Sequence, residues 1–506
     1  MKSVIAATLD CEILLIEDLA NVVSEYRLLY QLLSKFKKEV YHDNERIIFY
    51  SGEIIPLGVF QHLQQAVARL NIPNFVLVVV TATDYSSELE AARLSHSTED
   101  VAISNLVLEV NSDPLVVSPL VPLPTNFCFH PWVNLEVGPA TRFAPCCRHK
   151  TKFHSTATIV EKYNSKEIIA IRQRFHDNNK HSDCSICWET EAHGGISPRQ
   201  QFIGSCDLGI HLTPVEKLIL PVANLLGLDT KHGNACNLKC RICCDTFSSR
   251  IMVEDAAIRG EKINRQILIT AASDVTMFEQ IFNIISDPES NLQYLEFYGG
   301  EPFMFKGHRE FLEQLVADGK AQNISLHYNT NGTFSVTEYV DVWKEFKNLN
   351  LSFSVDDVGE RFEYQRHGAS WAEVAHHVGE ILSTQIATFD INIYITVSIF
   401  NIMHLHDVVE WARKTGVPDT AIHFSLLDDP AWFKVTNFPA RVLRQLRSRI
   451  STTDAKMASV SSLLNTSQNV PGIIDTFYDK VCVRDKIRNE QFSRVFPELH
   501  SILSEK

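Results

Sequence analysis

The residues from 232 to 247, HGNACNLKCRICCDTF, place Cys236, Cys240, Cys243 and Cys244 within nine positions. This feature constrains the chain most. Twelve cysteines in 506 residues are too sparse for a disulfide scaffold. Clustered as they are, in a chain with no export signal, they point to metal in a reducing compartment. The triplet Cys236-x3-Cys240-x2-Cys243 follows a strand pattern and runs into a helical one. Zinc sites take four ligands and favour paired C-x2-C spacings, so the triplet is a poor zinc pattern, although Cys244 can supply a fourth thiolate. Three thiolates on one loop can instead hold three irons of a cubane cluster, leaving the fourth iron open to a small molecule.

A chain of this length is expected to form two to four domains. Hydrophobic content of 45% and charged content of 21% are those of a globular protein. The longest apolar run, FVLVVV at 75–80, is far short of the roughly 20 residues that span a bilayer. The start, MKSVIAATLDCEILLIEDLA, is interrupted by acids and lacks a clean cleavage site, which argues against a signal peptide. A net charge of −14 argues against non-specific nucleic-acid binding. The expectation is a cytoplasmic protein with neither membrane nor nucleic acid as partner.

Residues 1–118 read as a small α/β unit. RIIFY (46–50) and NFVLVVVTAT (74–83) have strand character, PLGVFQHLQQAVARL (56–70) is helical, and AISNLVLEV (102–110) is a further candidate strand. The segment 112–126, with its four prolines, is the expected linker. Residues 127–205 are loop-rich apart from a helix at 164–179 and a helix start in GGISPRQQFIG (194–204), with Ser197 as N-cap and Pro198 at the first helical position. From 228 onward strands alternate with helices. Strands are expected at 228–233, 292–299, 324–331, 349–356, 389–398 and 420–427, with helices near 275–286, 308–319, 336–347, 370–384 and 404–415. Six such units imply a parallel sheet, closed or partly closed as a barrel, with its working residues in the loops at the strand C-termini. Residues 431–506 read as mostly helical.

The spacing and wording of CNLKCRICC resemble those of the radical S-adenosylmethionine (radical SAM) enzymes, and further motifs follow in order. FYGGEPFM (297–304) resembles that superfamily's GGEP motif, YNTNGT (328–333) its third-strand motif, SFSVDDVGERFEYQRHG (352–368) its fourth-strand segment, and ITVSIFN (395–401) its fifth-strand region. The resemblance covers about 127–430, with some similarity in the tail at 485–499. It implies a partial (β/α)6 barrel over 206–430, a helical extension over 431–506, and the small α/β domain at the N-terminus. It also implies a cluster on Cys236, Cys240 and Cys243 that binds S-adenosylmethionine. Gly299, Gly300, Glu301, Pro302, Asn329, Asn331, Ser354, Asp356, Arg366, Ser398 and Asn401 are the implied cofactor residues. Asp357 stands where the family often has Gly, a departure that bears on the geometry of that turn.

Upstream, Cys128, Cys146 or Cys147, Cys184 and Cys187 can provide four thiolates. Their surroundings, FCFHPWVNLEVGPATRFAPCCRHK and CSICWETEAHGGISPR, resemble the auxiliary-cluster segments of SPASM and twitch domains, the count fitting the twitch type. The implied auxiliary domain, 119–205, precedes the barrel, whereas it more often follows. Cys184-x2-Cys187 is also a zinc half-site. Arg148, Lys150 and Lys152, with His149 and His154, crowd beside the cysteine pair, where they would offset a cluster's negative charge or simply face solvent. Trp188, Glu189 and Glu191 flank the second pair. Cys206, Cys244 and Cys482 are candidate thiols for returning a hydrogen atom to substrate, set against an ordinary packing role; Cys11 is left over. His327 and His423 lie on barrel strands and face either cavity or core.

The resemblance implies an enzyme that cleaves S-adenosylmethionine reductively and abstracts a hydrogen atom from a peptide. A small sugar, amino acid or cofactor precursor is the alternative substrate. A flavodoxin or ferredoxin would supply the electron. From another class, a zinc-stabilised binding protein would use the same cysteines without catalysis.

Overall fold

The computed structural model describes residues 126–192 except 140, 197–199, 218–263, 275–450, parts of 451–466, 467–505 and two strands near the N-terminus. Two compact units emerge: residues 1–131 with 169–219, and residues 132–168 with 220–506. In the first, β1 (Ile47–Ser51) and β2 (Phe75–Val79) pair in parallel, Ile47 opposite Phe75. Both fall where β-branched and aromatic runs placed them. The expected helix at 56–70, the strand at 102–110 and the linker up to residue 125 lie outside the described residues, as do Cys11 and Cys206.

The second unit is built on a nine-stranded sheet in the order β13-β12-β10-β9-β8-β6-β3-β4-β5. Its strands are β3 (Asn134–Val137), β4 (Arg142–Ala144), β5 (Phe153–His154), β6 (Gly227–Thr230), β8 (Tyr294–Phe297), β9 (Ser325–Thr330), β10 (Asn348–Ser354), β12 (Phe389–Val397) and β13 (Ile422–Leu426). Outside it, β7 (Lys239–Cys240) pairs antiparallel with β11 (Arg366–His367). Among the described residues of the whole chain, the helices of eight or more residues are α1 (Lys166–His176), α2 (Ser185–Ala192, in the first unit), α3 (Ser249–Arg259), α4 (Val275–Ser286), α5 (His308–Ala317), α6 (Trp371–Ser383), α7 (Leu405–Thr415), α8 (Ala440–Arg449), α9 (Ile473–Arg488) and α10 (Pro497–Ser504).

All six barrel strands expected from the sequence form, and they run parallel in chain order. A seventh parallel strand, β3, pairs with β6, Glu136 opposite Asp229. It comes from the segment that the sequence reading grouped with the auxiliary cysteines. Only four residues long, it was masked by the Pro- and Cys-rich text around it. The hairpin strands β4 and β5 complete the sheet on that side.

The sheet curls. Arg148, just beyond β4, places Nη2 3.4 Å from Oγ of Ser425 on β13, although six strands separate β4 from β13 in the sheet. In a flat sheet that span would be about 30 Å or more. A partial barrel results, and its two faces differ because strand side chains alternate. Leu228, Leu295, Leu351 and Ile393 face outward, fully buried. There Phe297, His308, Tyr328 and Trp343 form an aromatic cluster under α5, with Phe297 stacked on Tyr328 at 5.0 Å. The inner face is polar. Glu136, Asp229, Glu296, His327, Asn350 and Asp390 are successive register neighbours across six strands. His327 bonds Tyr294 (2.8 Å) and Ser352 (3.0 Å), and His423 bonds Asn392 (2.9 Å), so both histidines belong to this inner face.

Among the described residues no helix is long and apolar enough to cross a membrane. The helical expectation for 431–506 is met by α8, α9 and α10. Phe477 on α9, with Phe492 and Phe496 from the short turn between α9 and α10, packs against Phe400 beyond β12.

Candidate active site

The cysteine loop leaves the C-terminal end of β6 and is tied down from three sides. Its own turn is closed by Asn234 Nδ2 donating to the Asp245 carbonyl (2.7 Å) and Ser248 Oγ to the Leu238 carbonyl (2.7 Å). Ser248 also caps α3 by accepting from the Ile251 amide. On the second side, Cys240 pairs in register with Arg366, and the Arg241 amide donates to the Gln365 carbonyl at 2.7 Å. On the third, the Glu301 amide donates to the Ala235 carbonyl at 2.7 Å.

Within this frame Cys236, Cys240 and Cys243 are neighbours. Burial, followed by Cys240, pushes the Cys236 thiol up to about 12. Burial, then Cys240, Cys244 and Cys236, pushes Cys243 well above the usual thiol range. Burial also raises Cys240, opposed by Arg366. Three crowded, desolvated thiols resist ionisation by themselves, and a bound cation reverses that. Three donors approach the sulfurs: the Leu238 amide lies 3.4 Å and Asn331 Nδ2 3.8 Å from Cys236 Sγ, and Arg366 Nη1 lies 3.9 Å from Cys240 Sγ.

The backbone of 299–301 lies directly on the loop. Gly300 has φ +55°, and a Cβ there would stand 2.4 Å from the Ala235 carbonyl oxygen; Gly299 has φ +77°. Glycine at both positions is a steric requirement. Glu301 is fully buried and accepts from the Asn331 amide and the Thr330 hydroxyl, both at 2.8 Å. Burial raises its carboxyl to about 7, those two bonds opposing it. Pro302 opens a short 3-10 turn. Beside them Arg366 grips Asp356 with Nε at 3.0 Å and Nη2 at 2.8 Å.

Ser398 and Asn401 are fully buried behind that pair. Asn401 Nδ2 donates to the Asp356 and Thr396 carbonyls (2.8 and 2.9 Å), and its Oδ1 accepts the Ser398 amide (2.8 Å). They brace Asp356 from the rear. Asp357 does not occupy a glycine-like conformation. It accepts from Arg361 Nε (2.9 Å) and Gln365 Nε2 (3.0 Å), and the turn takes its positive φ at Gly359 instead. Ser354 ends β10 and is half-buried. Asn329, two residues below Asn331, donates to Glu296 (2.8 Å) on the inner face.

Of the described candidates for hydrogen-atom return, Cys244 follows Cys243 on the loop and Cys482 lies well along the chain. Cys244 contacts Thr246 Oγ1 at 3.1 Å, and Cys482 is exposed on α9. Cys206 lies outside the described residues.

In the first unit Cys128, Cys184 and Cys187 are mutual neighbours. Burial, then Cys184, pushes Cys128 well up; burial, then Cys187, pushes Cys184 up to about 12. Arg199 stands by them, held by Glu191 at 2.6 and 2.9 Å and by the Phe127 carbonyl. Its guanidinium also lies over Trp188 at 4.7 Å. In the second unit the Cys147 amide donates to Asp229 Oδ2 (2.9 Å), and its sulfur lies within 4.8 Å of the Asp229 and Glu296 carboxylates. Lys152 bonds Glu136 and the Cys146 and Cys147 carbonyls, so this lysine is committed to the sheet interior rather than to solvent. Sequence reasoning missed Asp229, Glu136 and Lys231, although period-2 alternation in LDTK was a signal for Asp229 and Lys231.

The residues fit an iron–sulfur cluster with a small chelating cofactor. Three thiols converge on one loop with Cys244 next to Cys243, glycine backbone lies close by, and an Arg–Asp pair closes the other side. No protein-family model matches this chain, and no curated protein matches it. Among solved structures it is similar to native anSMEcpe with bound AdoMet and Cp18Cys peptide (16% identity over 44% of this chain and 58% of that one, TM-score 0.32). It is also similar to native anSMEcpe with bound AdoMet (18%, 44% and 59%, TM-score 0.34). A third is Streptococcus suis SuiB (13%, 56% and 60%, TM-score 0.32). The matches span about three fifths of those chains. At such TM-scores the likeness carries no weight for function.

Proposed function

We propose that the chain is a radical SAM enzyme whose cluster is held by Cys236, Cys240 and Cys243. The observation that supports this best is the arrangement of three thiols on one loop, Cys236 buried and Cys240 and Cys243 half-buried, with Gly300 pressed against the loop at Ala235 and Arg366 beside Cys240. In this reading the backbone of 299–302 takes the methionyl amino group. Arg366, fixed by Asp356, takes the carboxylate as a planar two-pronged donor. Asn331 and Ser354 lie at hand for the rest of the cofactor. When bound, the cluster and S-adenosylmethionine supply a 5′-deoxyadenosyl radical that takes a hydrogen atom from substrate.

The chain's own contribution is to hold and to exclude. Ser398 and Asn401 keep Asp356 in place, Glu301 pins the loop after β8 to the end of β9, and the curled sheet walls the site from water. Cys128, Cys184 and Cys187 are proposed as donors to the auxiliary cluster, with Arg199 offsetting its charge. A flavodoxin or ferredoxin is the proposed electron donor. The proposed substrate is polar, a peptide segment in the first place and a small polar metabolite in the second. Its support is the inner face, where nearly every parallel strand presents hydrogen-bonding side chains.

The test is anaerobic. Reconstituted protein given dithionite and S-adenosylmethionine is expected to release 5′-deoxyadenosine, and the Cys240→Ala variant to release none. A colourless, zinc-loaded preparation that leaves the sulfonium intact would establish the non-catalytic reading.

A further inference from the structure

Lys231 follows β6 by one residue and shares the inner face with Asp229. Its amide extends the pairing to β3, donating to the Val137 carbonyl at 2.9 Å. The side chain is 1% exposed, and its Nζ has no hydrogen-bond partner among the described residues. The stem is threaded beneath Gly299, where a Cβ would stand 2.5 Å from Lys231 Cγ. The ammonium lies 3.5 Å from the centroid of the Phe247 ring.

A ring face does not replace the hydrogen bonds that an ammonium loses on burial, a deficit of several kcal/mol. The surroundings add to it. Arg142 (Nη2 to Oε1, 3.0 Å) and Lys152 both pair with Glu136, and both act electrostatically on Lys231. Arg142 Nε is a second buried donor without a partner among the described residues. Glu136, the acid that draws on Lys231, is thus already taken by two other cations, while burial and the neighbouring Glu296 hold the Asp229 carboxyl well above its ordinary range. Burial first, then Arg142, lowers the Lys231 amine to about 7. An apolar side chain of equal length would pack here without any of these costs.

We propose that Lys231, with Arg142 beside it, is an anion-binding site that takes a carboxylate or phosphate group. Phe247, 38% exposed, covers the amine, and a swing of that one ring opens it to a ligand. That the anion belongs to the substrate rests on the radical-enzyme reading; that an anion binds does not.

The experiment titrates the full reconstituted chain with inorganic phosphate and, separately, with acetate by calorimetry. Lys231→Met keeps the stem and removes the charge. Wild type is expected to bind saturably, and the variant at least about tenfold more weakly. The variant's melting temperature should be equal or higher, since an unpaired buried cation has gone. Equal affinity in the two proteins, or no saturable binding in wild type, overturns the site. A second arm measures S-adenosylmethionine affinity, expected to be unchanged in Lys231→Met. A parallel loss there would assign the anion to the cofactor and overturn the substrate assignment. If wild type binds phosphate through Lys231 yet releases no 5′-deoxyadenosine, the enzyme reading fails and the anion site stands.

Discussion

Gly300 has no room for a single added carbon. Its φ of +55° is strained for other residues, and its missing Cβ is what lets the Ala235 carbonyl come down on it. Gly300→Ala is expected to cost about 1–3 kcal/mol and to loosen the cysteine loop, lowering both melting temperature and bound iron. Gly260→Ala is the control. It has a similar φ of +70° with nothing near the added carbon, so it should cost about 1 kcal/mol and leave iron content alone. Equal effects in the two variants would show that the contact with Ala235 is unimportant. The cysteines make a second test at this scale. Cys236→Ala, Cys240→Ala or Cys243→Ala should each lower iron from about eight to about four per chain, with the auxiliary absorption retained. Residues of this kind were legible because they lie together in contiguous text. Cys147, Asp229 and Lys231 were not, since their association depends on which strand pairs with which.

Among elements, the C-terminal helix α9 has the most to say about the cysteine loop. Arg488 donates to Glu254 on α3 at 2.6 and 3.1 Å, Lys239 on β7 bonds the same carboxylate at 2.9 Å, and Arg484 reaches Asp255 at 2.7 Å. Arg241, fully buried, pairs with Asp485 and Glu490 and stacks on Tyr364 at 3.6 Å. Burial alone would raise the Glu254 carboxyl, but hydrogen bonds from Arg488 and Lys239 outweigh it and hold it at about 2. Its folded value thus lies below an unfolded value of about 4.3, so its stabilisation is complete above that pH and is lost as pH falls towards 2. The loss is at most about 3 kcal/mol. Glu254→Gln should therefore melt lower at neutral pH and show a flatter stability curve between about pH 5 and pH 2; parallel curves would contradict this. The sequence showed 431–506 as mostly helical but did not show α9 as a clasp, because the partners of these charges lie more than two hundred residues away. It showed the six barrel strands clearly, since each carries an alternating pattern bounded by turn residues. The four-residue strand β3 offered too little pattern to read.

For the second unit as a whole, one consequence of curling is decisive. Alternation puts leucine and isoleucine outward under helices and leaves a wall of carboxylates, amides and histidines inside, below the loop that carries three thiols. Such an interior cannot be an apolar core. Glu296 is an example: burial raises it to about 7, opposed by the Asn329 bond and the nearby Arg148. Fold class and the cysteine triplet were legible in the sequence because local pattern determines both. The inner charges were not, because they depend on closure between strands far apart in the chain. The account stands or falls on the number of thiolates at the 236–243 loop, which Mössbauer spectroscopy of protein reconstituted with iron-57, before and after S-adenosylmethionine, counts directly. The expected result is that one iron in four of that cluster changes its spectrum on adding the cofactor while the other three hold. Four irons that respond alike, or a metal there with four protein donors, would contradict it.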